Sequence, residues 1–305
     1  MYSNKKIVIV GSSNTDMSVR ADHLPKPGET IIGGKFLMNH GGKGANQAVA
    51  VARLGGEAVF VCKVGDDMFG NNTLEMLQKE GINTSYLSKS KDAPSGIALI
   101  SVDLKGENSI VVASGANACL SEEDVKHAES EIKAASIVLM QMETPLPTLI
   151  CAAEIAKKHG TTVVLNPAPA PKEPIPDALL KNVDILIPNA TEAQMISGIE
   201  ITDDASAKKS IAAIMSRGVK TVIVTIGSKG AVTLQDGELV KIPAFSVQSV
   251  DATAAGDTFC GALCVSLCKN NSLKDAILYA NKASSISVTR MGAQASIPYE
   301  KEVNV

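Results

Sequence analysis

Short apolar runs alternate with longer amphipathic stretches along most of the chain. Residues 6–10, Lys-Ile-Val-Ile-Val, form one such run ending at Gly11, the pattern of a strand buried on both faces. From residue 59 the rhythm is steady. Strands are predicted over 59–61, 135–140, 162–165, 184–187 and 221–225, with a hairpin over 231–240. Helices are predicted over 67–80, 147–159, 206–216, 257–267 and 273–287, and others open at the Gly-rich residues 41–47 and at Pro188-Asn189-Ala190-Thr191-Glu192. Strands joined by crossover helices imply an α/β fold: a three-layer α/β/α sandwich around a mostly parallel central sheet.

Two stretches break the rhythm. Residues 30–40 are rich in β-formers, and residues 97–112 read as a hairpin, with strands at 97–102 and 109–112 about a polar turn. Neither runs into a helix, so neither belongs to a βαβ unit. They are expected to form a small β-sheet lid, inserted at about 17–40 and 95–113 into a single domain spanning 1–305. A sheet this thin needs cover on its faces, which predicts closure over a ligand and a homodimer through the lid. The proline-rich residues 167–176 read as a stiff surface loop.

Composition narrows the classes. The 305 residues are 45% hydrophobic and carry a formal charge of -3, enough for a large core and too balanced for a nucleic-acid or anionic-membrane surface. The apolar run at 7–10 is too short for a signal peptide or a membrane span, so a cytoplasmic chain is expected. Six cysteines (62, 119, 151, 260, 264 and 268) include no CxxC pair, and the four histidines lack ligand spacing. Cys260, Cys264 and Cys268 fall four apart on one face of the predicted helix after Asp257; a metal reading would need a fourth ligand there, so they are expected to be buried small hydrophobes in a reducing compartment.

Candidate chemistry concentrates at residues 251–262, Asp-Ala-Thr-Ala-Ala-Gly-Asp-Thr-Phe-Cys-Gly-Ala. A loop of small residues runs straight into a helix whose first N–H groups have no internal partners, a socket for an anion. Asp257 sits at its rim. Read alone it is either a helix cap or the base that takes a proton from a hydroxyl attacking a phosphate. Asn14 and Asp16 follow the first strand, where open α/β sheets bind ligands, and an amide beside a carboxylate suits polyol hydroxyls. The turn after Val10 lacks the glycines of a dinucleotide fingerprint, which disfavours a dehydrogenase. Gly41-Gly-Lys-Gly-Ala-Asn-Gln47 misses the Walker A spacing and reads either as a ligand-approaching loop or as a tight strand-to-helix turn.

Together, three segments resemble the signatures of the ribokinase/PfkB-type carbohydrate kinases: residues 41–48, residues 251–262, and between them Asn189-Ala-Thr-Glu192, similar to the family's Asn-x-x-Glu motif. The likeness runs from residue 14 to residue 296. It implies ATP-dependent phosphorylation of a sugar hydroxyl with Asp257 as catalytic base. The sugar contacts it implies are Asn14, Asp16, Gly42, Lys43, Asn46 and Glu143, the set of members that phosphorylate D-ribose at O5 to give D-ribose 5-phosphate and ADP. It further implies an anion hole at Ala254, Ala255 and Gly256, and ATP contacts at Asn189, Thr225, Gly227, Ser228, Gly230, Gly256 and Asn281. Magnesium would be ordered through waters by Asn189 and Glu192. A potassium site would fall at Asp251, Thr253, Ser287, Arg290, Gly292 and Ser296, although Ala252 stands where related enzymes often have Thr. A kinase of 2-deoxyribose, fructose or adenosine stays open, as does a silent sugar-binding module, which the intact Asp257 and Gly-rich socket disfavour.

Overall fold

The computed structural model describes Tyr2 and residues 4–170 and 173–304, so Pro171 and Lys172 of the proline-rich loop lie outside the described residues. In chain order the strands are β1 (Lys6–Val10), β2 (Asn14–Arg20), β3 (Lys35–Gly41), β4 (Glu57–Gly65), β5 (Leu87–Ser90), β6 (Gly96–Val102) and β7 (Asn108–Ala113). There follow β8 (Ile137–Gln141), β9 (Thr162–Asn166), β10 (Ile185–Leu186), β11 (Thr221–Thr225), β12 (Ala231–Gln235) and β13 (Glu238–Ile242). Nine of them form the main sheet in the order β13-β12-β11-β10-β9-β8-β1-β4-β5, parallel except for the β12 and β13 hairpin at one edge.

The continuous apolar pattern of β1 has its reason in the layers. Ile7 and Ile9 enter one core with helices Lys43–Arg53, Ala255–Cys268 and Leu273–Ser287, while Val8 and Val10 enter a second core with helices Leu146–His159 and Asp204–Met215. Successive side chains of a strand point to opposite faces, so a sheet covered on both faces must be apolar at every position. Helix Ala255–Cys268 is apolar nearly all round because it is buried between its neighbours. It lies so close to helix Lys43–Arg53 that a Cβ on Gly261 would sit 2.6 Å from the Ala50 methyl. That contact brings the Gly-rich turn and Asp257 together.

The second sheet has four strands in the order β3-β2-β6-β7, with β2 and β6 parallel and the outer pairings antiparallel. Its first strand begins at Asn14, so Asn14 and Asp16 belong to this smaller sheet rather than to a free turn. Polar alternation in Asn-Thr-Asp-Met-Ser-Val-Arg, with one face toward the ligand cleft, hid this strand from an apolar pattern. The β-rich residues 30–40 yield only β3, starting at Lys35. Also unpredicted are β5 and the polar helices Glu122–His127 and Glu129–Ala134. Cys260, Cys264 and Cys268 are buried as expected, as are Cys62 and Cys151, whereas Cys119 is exposed. No helix among the described residues is long and apolar enough to cross a membrane.

Candidate active site

Asp257 lies in the first turn of helix Ala255–Cys268, yet its carboxylate makes no capping bond to that helix. It turns instead to the facing helix, where Asn46 Nδ2 donates to Oδ2 at 2.9 Å and Gln47 Nε2 donates to Oδ1 at 3.0 Å. Between base and helix cap, this orientation favours the base. Gln47 is held in turn. Its Nε2 also donates to Asn166 Oδ1 at 3.1 Å, its Oε1 accepts from Gln141 Nε2 at 2.6 Å, and Asn166 Nδ2 donates to the Ile187 carbonyl. All of these side chains are buried. Gln141 and Asn166 end β8 and β9, so the network stands at the carboxyl ends of the parallel strands. Sequence reasoning gave Gln47, Gln141 and Asn166 no role. The only signal was Gln47 standing beside Asn46 in the Gly-rich motif.

Glu143 and Asp16, two of the expected sugar contacts, gather around Lys43. Glu143 Oε2 accepts from Ser12 Oγ at 2.5 Å and from the Lys43 backbone N–H at 3.1 Å. On β2 Asp16 pairs with Asn39 of β3, and its carboxylate turns against Gly41, where any Cβ would overlap it. Burial, then the charges of Glu143 and Asp257, push Asp16 up to about 7 against the pull of Lys43. For Lys43, burial alone would lower the pKa, but Asp257, Glu143 and Glu192 outweigh it and raise it, keeping the ammonium charged. Gly42 and Gly44 serve packing. A Cβ on either would stand 2.6–2.7 Å from backbone atoms of residues 12–14. The Gly-rich segment is therefore a tight turn locked onto the β1–β2 loop, and Lys43 lines the cavity beyond it.

Beyond Lys43 a cavity of about 220 Å³ is lined by Asn189, Glu192, Gly256 and Asp257. It adjoins a second of about 390 Å³, lined by Thr225, Gly227, Ser228, Gly230 and Asn281, with residues 244–247 as the far wall. That wall had no assigned role. Asn281 lines this cavity while its Nδ2 donates to the carbonyls of Ile242 and Pro243, so it also pins the wall. Asn189 and Glu192 form a reciprocal capping box, each side chain accepting the other's backbone N–H at 2.8 Å. Burial raises the Glu192 pKa, with the Asn189 N–H and Lys43 opposing it and Asp257 adding to it. Only Oε2 of Glu192 is used in the box. A carboxylate with one oxygen spare in a phosphate-sized cavity fits a water-bound magnesium ion.

The anion hole expected at Ala254, Ala255 and Gly256 falls at the turn into helix Ala255–Cys268. The Ala255 N–H donates to the Ala252 carbonyl at 3.2 Å, leaving the N–H groups of Gly256 and Asp257 without partners among the described residues. Ala254 makes this geometry by adopting φ 59°, a left-handed conformation costing about 1–2 kcal/mol for a residue with a Cβ. A Cβ built on Gly256 meets no protein atom within 4 Å. Its space belongs to the cavity.

Behind the hole, Asp251 Oδ1 accepts from the Thr253 N–H and hydroxyl and Oδ2 from the Gly292 N–H at 2.9 Å. Burial would raise the Asp251 pKa, but these donors and Arg20 outweigh it and hold it low. The Val288 carbonyl accepts from Val250 and Asp251, so hydrogen bonds already join the two loops. Ser287 and Ser296 are buried with their hydroxyls bonded to carbonyls, and the Arg290 guanidinium pairs with Glu302. An ionised carboxylate among turn carbonyls fits a monovalent cation; of Arg290 only the carbonyl could serve.

Residues 4–300 match the model of the pfkB family carbohydrate kinases. The chain belongs to this family. Among its curated relatives is the ribokinase of Haemophilus influenzae, 43% identical over 98% of this chain and 97% of its own. The deoxyribokinase of Salmonella typhi is 36% identical over 98% of this chain and 97% of its own. Of the solved structures, Arabidopsis thaliana ribokinase complexed with ribose and ATP superposes with a TM-score of 0.90 at 34% identity, covering 99% of this chain and 98% of that one. The pfkB fold accounts for both the sandwich and the smaller sheet.

Proposed function

We propose that this carbohydrate kinase transfers the γ-phosphoryl group of MgATP to O5 of D-ribose, giving D-ribose 5-phosphate and ADP. The observation that carries the reading is the placement of Asp257, turned out of its own helix between a polyol-suited cluster and a cavity ending on free N–H groups. The full-length similarity to ribokinases, one of them solved with ribose and ATP, supports the sugar and the nucleotide.

In this mechanism Asn14, Asp16, Asn46 and Glu143 hold the sugar hydroxyls, and Asp257 accepts the proton of O5 as the oxygen attacks phosphorus. Charge on the transferring group is met by the N–H groups of Gly256 and Asp257 and by Lys43, whose ammonium is kept charged by its neighbours. Glu192 and Asn189 would hold magnesium through waters, where the ion would neutralise charge on the ATP phosphates. ATP lies along Thr225, Gly227, Ser228 and Gly230 with its base toward Asn281. A potassium ion at Asp251 and the carbonyls near Ser287, Arg290 and Gly292 would stiffen the turn presenting the anion hole.

The chain is, in this reading, one domain with the lid strands inserted at about 17–40 and 95–113. It dimerises through the lid, whose exposed Phe36, Met38, Leu99 and Val111 lack cover. A monomer in light scattering at all concentrations would refute the dimer. Deoxyribokinase relatives at 36% identity make 2-deoxyribose the main rival acceptor. ADP release measured with ribose, 2-deoxyribose, fructose and adenosine separates the readings. Fast release with ribose alone is expected; release with another acceptor alone overturns the substrate.

A further inference from the structure

Asn117 was given no role by sequence reasoning, and no site motif contains it. It lies in the short 3₁₀ turn Gly115–Cys119, where the chain returns to the body of the protein after β7, and it is 2% exposed. Its Oδ1 accepts the Ser13 N–H at 2.9 Å, and its Nδ2 donates to the Ser13 carbonyl at 3.1 Å and to Asn14 Oδ1 at 2.8 Å. A backbone N–H can only donate and a carbonyl can only accept, so Ser13 fixes which end of the Asn117 amide is which. That assignment passes to Asn14. Its oxygen must face Asn117, and its nitrogen, without a partner among the described residues, is left for the cavity lined by Asn14 and Glu143.

We propose that Asn117 is a positioning residue that makes Asn14 an obligate hydrogen-bond donor to one sugar hydroxyl. The surrounding chemistry gives this orientation its value. Asp16 and Glu143 offer acceptor oxygens, and Asn46 Oδ1 is buried with no partner, so a sugar meets many acceptors and few neutral donors. Rotating the Asn14 amide by half a turn would add another acceptor and remove a donor. The ligand class this arrangement selects is a furanose whose hydroxyl at that point accepts from Asn14 while its other hydroxyls donate. Gly96 makes room for the pair: a Cβ there would lie 2.3 Å from both Asn117 Nδ2 and Asn14 Oδ1. Because Asn117 follows the last lid strand, the lid's return to the core sets the polarity of a sugar contact.

The inference rests on the ribose reading, and wild-type turnover with ribose tests that reading separately. If another sugar is turned over instead, the same cycle is run with that sugar. Asn14→Ala, Asn117→Ala and the double variant are compared by steady-state kinetics and by calorimetric sugar binding. Asn117→Asp is the second route if the alanine variant fails to fold, since it keeps the shape and the acceptor for Ser13 but cannot donate to Asn14. Each single variant is expected to raise the sugar KM about tenfold, with the ATP KM changed less than about twofold. The double variant should be no worse than Asn14→Ala, because Asn117 acts only through Asn14. Losses that multiply, an unchanged sugar KM, or sugar and ATP constants that worsen together would each overturn the proposal.

Discussion

In the proposed function, the sugar side and the nucleotide side of the cleft are built on opposite plans. On the sugar side Asn14, Glu143, Asn46 and Asp257 are tied to protein partners before any ligand arrives. On the nucleotide side the cavity wall is mostly small and apolar, with free backbone N–H groups and a glycine that faces empty space. A buried polar group left unpaired is costly, so fixed donors and acceptors discriminate sharply among hydroxyl patterns. Backbone groups and shape suffice for a phosphate chain, because the helix terminus supplies the partial charge. In the proposed function, sugar choice would therefore rest on fixed side chains, and the phosphates would rest largely on the main chain.

The largest effect expected is that of Asp257→Asn, which should cut kcat by about 10²–10⁴-fold while ATP binding in calorimetry stays close to wild type. Loss of ATP binding in that variant would erase the division between the two sides. Next comes Gln47→Leu. It removes the donor that orients Asp257 Oδ1, and kcat should fall about tenfold or more with the ATP KM nearly unchanged. Equal damage to kcat and the ATP KM would make Gln47 part of the general scaffold instead.

Gly256→Ala probes the other side. A methyl there meets no protein, so the melting temperature should hold while phosphoryl transfer slows about tenfold through misplacement of the ATP phosphates. A variant of normal activity would show that the cavity at Gly256 is not where the phosphates lie.

The smallest effect is a pH dependence. Asp16 has its pKa raised from 3.8 to about 7, so the folded chain holds a proton that the unfolded chain releases. Its contribution to the stability of the ligand-free protein is present at acid pH and fades as pH rises toward 7. Sugar hydroxyls donating to the carboxylate favour its ionised form. Sugar affinity should therefore weaken as pH falls below about 7, with a proton released on binding. Calorimetry in buffers of different ionisation enthalpy detects that proton, and Asp16→Asn should abolish its release and leave the ligand-free protein more stable at alkaline pH.

Periodicity revealed the sandwich because both core layers impose rules that a sequence can carry: apolar runs for strands covered on two faces and amphipathic stretches for the helices between them. The lid was visible as β-rich segments outside that rhythm, but β2 was not, since its pattern answers to a ligand cleft rather than to a core. Motif spacing marked the loops that line the cleft, residues 41–48, 189–192 and 251–262. Which groups within them face one another could not be read there. Gln47 meets Asp257 across 210 positions and Asn117 meets Asn14 across 103.

What the sequence by itself determined is thus the layer architecture, the family, and the segments from which the cleft is made. The tertiary structure decided that Asp257 turns away from its own helix, that Gly42 and Gly44 sit tight against the β1–β2 loop, that the Ala255 N–H bonds the Ala252 carbonyl, and that Asn14 presents nitrogen rather than oxygen. The physical reason is the range of the forces involved. Propensity and hydrophobic period act over neighbouring residues, whereas the direction of a buried hydrogen bond depends on whichever distant group the finished fold brings within about 3 Å.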